Sequence, residues 1–83
     1  MPYYAVASGD MLRCVQADNA KAACVKAVKE LSAECQNAGD MPKPGMLFEA
    51  HELGTNQEQH WFVGAKIVMR EAGFELVLVV NRN

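Results

Sequence analysis

The residues best equipped for chemistry are Glu49, His51, Glu52, Glu58 and His60, gathered in a twelve-residue stretch of an 83-residue chain. Imidazole and carboxylate together bind zinc or another divalent ion, or move protons. The spacing matches no established ligand pattern, because a loop separates His51 from His60. A His51, His60, Glu49 and Glu58 metal cluster is therefore kept as the second reading, behind solvated carboxylates beside surface histidines.

Nucleophilic catalysis finds little to work with. Ser8 falls in a turn and Ser32 in a helical stretch, and neither stands in Gly-x-Ser-x-Gly. Cys14 and His51 would make a nucleophile and base only on one side of a sheet, and the alternation drawn below puts them on opposite sides. The three cysteines, Cys14, Cys24 and Cys35, contain no Cys-x-x-Cys pair and sit among apolar residues, so reduced thiols in a cytoplasmic setting are expected. The opening Met1-Pro2-Tyr3-Tyr4-Ala5-Val6 has no basic or long apolar leader and agrees with that expectation. The six glycines are dispersed and form no phosphate-cradling loop, so no nucleotide or other cofactor is expected. Catalytic residues are assigned to none of these positions.

Composition narrows the partners. With 51% hydrophobic and 22% charged residues and a net charge of −2, the chain suits one folded domain over residues 1–83 and not a disordered segment. Its eight Lys and Arg are scattered, and Lys21, Lys26 and Lys29 form one small patch among acidic neighbours. Phosphate recognition concentrates positive charge, so no nucleic-acid partner is expected. No apolar run reaches membrane-spanning length, and no membrane partner is expected either. Trp61, Phe62 and Phe74 are read as core and not as base-stacking platforms.

The elements that must position these residues begin with a hairpin. Tyr3–Ser8 and Met11–Gln16 flank Gly9-Asp10, which suits a type II′ turn and pairs Ser8 with Met11, Ala7 with Leu12, Ala5 with Cys14 and Tyr3 with Gln16. One hairpin face then carries Tyr3, Ala5, Ala7, Leu12 and Cys14. The other carries Tyr4, Val6, Ser8, Met11, Arg13 and Val15. A helix capped by Asp18 or Asn19 and running to about Ala38, with Gly39 as its stop, puts Ala20, Ala23, Cys24, Ala27, Val28, Leu31, Cys35 and Ala38 on one stripe. That smooth stripe is matched to the small Ala5, Ala7, Cys14 face.

Asp40 to Gly45, with two prolines, connects to a strand over Met46–Leu53, where Met46, Phe48 and Ala50 alternate with Leu47, Glu49, His51 and Leu53. A capping box at Thr55-Asn56-Gln57-Glu58 and the stripe Trp61, Ala65, Val68, Met69 and Ala72 predict a second helix over about 56–72, ending at Gly73 with Phe74 in contact behind it. The alternative makes 61–70 a strand, giving five strands and one helix. Glu75–Val80 is nearly all apolar and predicts a covered strand.

The fold expected is an α+β two-layer sandwich, β-β-α-β-α-β, with four strands and both helices on one face. Its second sheet face lacks a cover. By the alternation above it carries Tyr4, Val6, Met11, Arg13, Val15, Leu47, Glu49, Val77 and Val79, an apolar patch with Arg13 and Glu49 as a rim pair. The function this predicts is non-catalytic: a protein-interaction or regulatory module that forms a homodimer or binds a protein partner through the open face. The hairpin leading into Val15-Gln16-Ala17-Asp18-Asn19-Ala20-Lys21-Ala22-Ala23 resembles small bacterial and phage domains, including antitoxin-like ones. The resemblance covers less than half the chain, implies regulation by protein contact, and transfers no functional residue.

Overall fold

The computed structural model describes residues 2–35, 40–54 and 59–74. In chain order the elements are β1 (Tyr3–Ser8), β2 (Met11–Gln16), α1 (Ala20–Glu34), β3 (Leu47–Glu52), β4 (His60–Gly64) and α2 (Ala65–Glu71). The four strands form one antiparallel sheet in the order β2-β1-β3-β4. With the two helices it makes a small α+β sandwich.

The hairpin follows its sequence. Tyr3 pairs with Gln16, Ala5 with Cys14, Ala7 with Leu12 and Ser8 with Met11. Gly9 adopts φ +55 while Asp10 stays out of the positive region, the φ signs of a type II′ turn. The turn is also clamped from outside. Asp10 N–H donates to Lys43 O (3.0 Å), the Ser8 hydroxyl donates to Leu47 O (2.7 Å), and Gly45 N–H donates to Ser8 Oγ (2.9 Å). Ser8 is thus a buried polar side chain with its hydrogen-bonding capacity satisfied, which joins the hairpin tip to the start of β3.

The side of the hairpin that meets the helices is the opposite of the one expected. Tyr4, Val6, Met11 and Val15, expected on the open face, are buried, with Val6 only 1% exposed. They join Phe48 and Ala50 of β3 and Ala20, Ala23, Cys24, Ala27 and Val28 of α1 in one core. The reason is area: burying a tyrosine, a methionine and two valines removes far more apolar surface from water than burying alanines, at roughly 25 cal/mol per Å². Small residues still meet the sheet, but from the helix. The Ala/Cys stripe of α1 leaves room for the bulky residues beneath it, an interdigitation of large and small at close-packed density.

Arg13 accompanies that buried side and reaches α1. Its Nε donates to Glu30 Oε1 (2.9 Å) and its two Nη groups grip Glu34 in a bidentate pair, Nη1 lying 2.8 Å from Oε1. The expected rim pair with Glu49 is not formed, because Arg13 and Glu49 lie on opposite sides of the sheet.

Helix α1 starts as expected, with Asn19 Oδ1 accepting from Ala22 N–H (2.8 Å). It ends at Glu34, four residues before Ala38, with Cys35 in extended backbone. Past Leu31 the stripe loses its buried contacts, and packing is what sustains a helix in water. Ala38 and Gly39 lie outside the described residues.

The 61–70 stretch divides between the two readings. His60–Gly64 is a strand pairing with β3, Glu49 opposite Phe62 and His51 opposite His60, and the helix begins only at Ala65. Alternating aromatic and β-branched residues next to an open strand edge favour the ladder over the first turn of a helix. The helix that follows buries Ala65, Val68 and Met69 of the expected stripe. It stops as expected at Gly73 (φ +97), where Phe74 N–H donates to Met69 O (2.9 Å) and Gly73 N–H to Arg70 O (3.1 Å), a Schellman motif. The fourth strand is therefore supplied by 60–64. The expected strand Glu75–Val80, with Val77 and Val79, and the capping box with Glu58 lie outside the described residues.

Candidate functional site

The sheet surface away from the helices is built by strand parity. β1 contributes Tyr3, Ala5 and Ala7; β2 contributes Leu12, Cys14 and Gln16; β3 contributes Leu47, Glu49 and His51; β4 contributes His60 and Phe62. Register aligns them in rows. One row runs Leu12, Ala7, Glu49, Phe62 and the next runs Cys14, Ala5, His51, His60, each step a direct cross-strand pair.

This surface is apolar and exposed. Leu12 is 71% exposed, Phe62 63%, Leu47 56% and Tyr3 55%. Each is a large side chain on a rigid strand, and single exposed apolar residues are ordinary but a shared face of them is not. Of the expected docking residues, Leu47 and Glu49 lie here. Tyr4, Val6, Met11, Val15 and Arg13 face the helices instead. Phe62, expected in the core, belongs to the open face because β4 sends alternate residues to opposite sides; Trp61, its neighbour, turns inward and meets Tyr4 edge-to-face at 5.9 Å.

Besides Gln16 at the end of β2, three polar side chains interrupt the apolar surface. The rings of His51 and His60 stack, with centroids 4.4 Å apart and planes 14° from parallel. His60 Nδ1 lies 3.2 Å from Glu49 Oε2. Glu49, His51 and His60 are thus drawn together out of the sequence cluster, and Glu52 is not among them. Among the described residues, no three His, Cys, Asp or Glu side chains are disposed to hold a metal ion within the chain.

Cys14 and His51 share this face, against the sequence expectation, because Ala5 pairs with both of them. Ala5 also keeps them apart. Two strand spacings amount to roughly 10 Å, beyond hydrogen-bond reach for a thiol and an imidazole. Of the other cysteines, Cys24 is fully buried in the core, and burial pushes its thiol up to about 11. Such a thiol is an inert core side chain at neutral pH.

A shallow hollow on the far side of the molecule is lined by Asn19, Lys21, Val25, Lys26, Lys29 and Glu71. Two of its cations are already engaged. Lys21 Nζ pairs with Glu71 Oε2 (2.6 Å), joining α1 to α2, and Lys26 Nζ donates to Gln16 O (2.7 Å).

Among the described residues, no helix is long and apolar enough to cross a membrane. No protein-family model matches the chain, and neither a curated protein nor a solved structure matches it.

Proposed function

We propose that the chain is a non-catalytic interaction module whose open sheet face docks against the same face of a second copy. The observation that carries this is the exposure of Leu12, Phe62, Leu47 and Tyr3 together on the side of the sheet opposite the helices. A sheet that is apolar on both faces satisfies the hydrophobic effect on one of them through α1 and α2, and on the other only by association.

A second copy is favoured over a foreign partner by the hydrogen-bonding groups on the face. Glu49 offers acceptors, and the rings of His51 and His60 offer N–H donors. A two-fold contact sets each residue of the patch against the patch itself, so a surface bearing both acceptors and donors is complementary to its own copy. Two twisted sheets packing face to face are a standard way to close such a layer. Catalysis has weak support. Ser8 is committed to Leu47 and Gly45, Cys24 is buried with a raised thiol pKa, and Ala5 separates Cys14 from His51. Nucleic acid is a poor fit to a chain of net charge −2 whose Lys21 and Lys26 are engaged within the fold.

Native mass spectrometry of the full chain, purified from its own host without chelator, tests the proposal. A species of twice the chain mass is expected. A defined heteromeric mass would replace the second copy with a foreign partner, and a bare monomer at high concentration would overturn the proposal.

A further inference from the structure

The polar trio within the apolar face raises a question of desolvation. If two copies dock through this face, two imidazoles and a carboxylate from each are taken out of water, and buried polar groups are costly unless each finds a partner. Glu49 and His60 partner one another at 3.2 Å within the chain. In the tautomer that turns an Nδ1–H toward that carboxylate, His60 has Nε2 as its lone-pair nitrogen. A ligating histidine is usually held this way, by a carboxylate on the nitrogen that the metal does not use. His51 lies beside it, one strand away, with its ring stacked on that of His60.

We infer that His51 and His60 are half of a transition-metal site, completed by the same pair from the second copy when the open faces dock. The inference rests on the self-docking reading above. Two imidazoles are too few for a stable zinc site, and within one chain no third His, Cys, Asp or Glu joins them among the described residues. The site requires the two-fold axis to pass beside the His51–His60 pair, which then becomes four nitrogen ligands, a set suited to Zn²⁺, Ni²⁺ or Cu²⁺ and ill suited to Ca²⁺ or Mg²⁺. Parallel rings cannot both aim a nitrogen at one ion, so His51 turns about χ2, a broad torsion in histidine, while His60 stays held by Glu49. Glu49 takes the role of positioning residue for His60. Coordination then gives the imidazoles of the docked face the partners that water supplies in the free chain.

The test is a titration of chelator-stripped, reduced full-length protein with Zn²⁺ alone, followed by sedimentation velocity and by metal analysis of the separated species. The expected result is one zinc per two chains and at least a tenfold tightening of the dimer. His51→Ala and His60→Ala should each abolish both effects while leaving the far-ultraviolet circular dichroism unchanged. Cys14→Ser should keep both effects, and Glu49→Gln should weaken zinc uptake by about tenfold. A dimer equally strong in chelator and in zinc, with no metal retained, would overturn the metal site and leave self-docking standing. A monomer that takes up no zinc would overturn both. One zinc per monomer, or uptake lost in Cys14→Ser and kept in the histidine variants, would overturn the shared site.

Discussion

Gly9 and Gly45 pass so closely that a Cβ built on Gly9 would lie 2.7 Å from the Gly45 nitrogen and 2.7 Å from Lys43 O. Both obstacles are backbone and cannot swing aside. Gly9 also holds φ +55, a left-handed conformation that disfavours any side chain. Gly9→Ala is therefore expected to cost at least about 2 kcal/mol. Gly54 makes the comparison, since it has φ +81 but nothing within 4 Å of its would-be Cβ. Gly54→Ala should cost only about 1 kcal/mol, the conformational part alone. Urea midpoints of the two variants measure the difference, and equal shifts would mean that the contact with residues 43–45 is not rigid.

The two sides of the hairpin should respond to charge in opposite ways. Val6→Arg places a cation in the core that Val6 shares with Phe48 and Val28, where no buried carboxylate stands among the described residues, and is expected to unfold the protein. Leu12→Arg stands on the exposed face and should leave stability within about 0.5 kcal/mol while weakening self-association. Circular dichroism melts of both variants check this. A folded Val6→Arg protein would show that the sheet presents its other side to the helices.

This division marks what could be read from the sequence. Pairing register was legible, because Gly9-Asp10 fixes which residues oppose each other, and so was the alternation of Phe48 and Ala50 against Glu49 and His51. What periodicity does not contain is the side on which α1 lands. A period of two defines two faces and names neither, and matching small residues to small residues selected the wrong one. The choice depends on total apolar area, in which Tyr4, Val6, Met11 and Val15 outweigh Ala5, Ala7 and Cys14. That single inversion moved four docking residues into the core, and it also hid the shared face of Cys14 and His51. The β4 strand was obscured for a different reason: Trp61, Ala65, Val68 and Met69 satisfy a helical stripe while Trp61 and Val63 satisfy a strand, and only the free edge of β3 decides between them.

The grip of Arg13 on Glu30 and Glu34 predicts an acid response. The Arg13 hydrogen bonds hold the Glu34 carboxyl below its usual range, against a smaller opposing effect of desolvation. A depressed folded value means that the unfolded chain binds the proton more readily. The contribution is thus present above the ordinary glutamate range, near pH 4, and lost as pH falls through the lowered value. Because the pair is exposed, the effect should be small and screened by salt. Denaturation profiles of wild type and Glu34→Gln should converge below that range and separate above it. A separation independent of pH would point to packing and not to charge.

Cys24 predicts the alkaline limit. Burial raises its thiol to about 11, and burial with the nearby Glu52 charge also raises the Tyr4 phenol. Raised values favour the protonated folded state, so their contribution is complete below the unfolded thiol value, about 8.5, and is lost as pH climbs towards 11. Stability should fall over that window. At neutral pH the exposed Cys14 should alkylate quickly and Cys24 only as fast as the protein opens. Mass spectrometry of timed iodoacetamide labelling separates the two sites, and equal rates would contradict the core position of Cys24.

The self-docking proposal stands or falls on whether the open face joins copies of the chain. Sedimentation velocity of the wild type and of Phe62→Lys, over a range of micromolar concentrations, measures it. Phe62 is exposed on β4, so the substitution leaves the core intact. Self-docking through the open face gives a wild-type dimer that strengthens with concentration and a Phe62→Lys monomer with an unchanged far-ultraviolet circular dichroism spectrum. A wild type that sediments as a monomer throughout, or a Phe62→Lys protein that dimerises as strongly as the wild type, would contradict it.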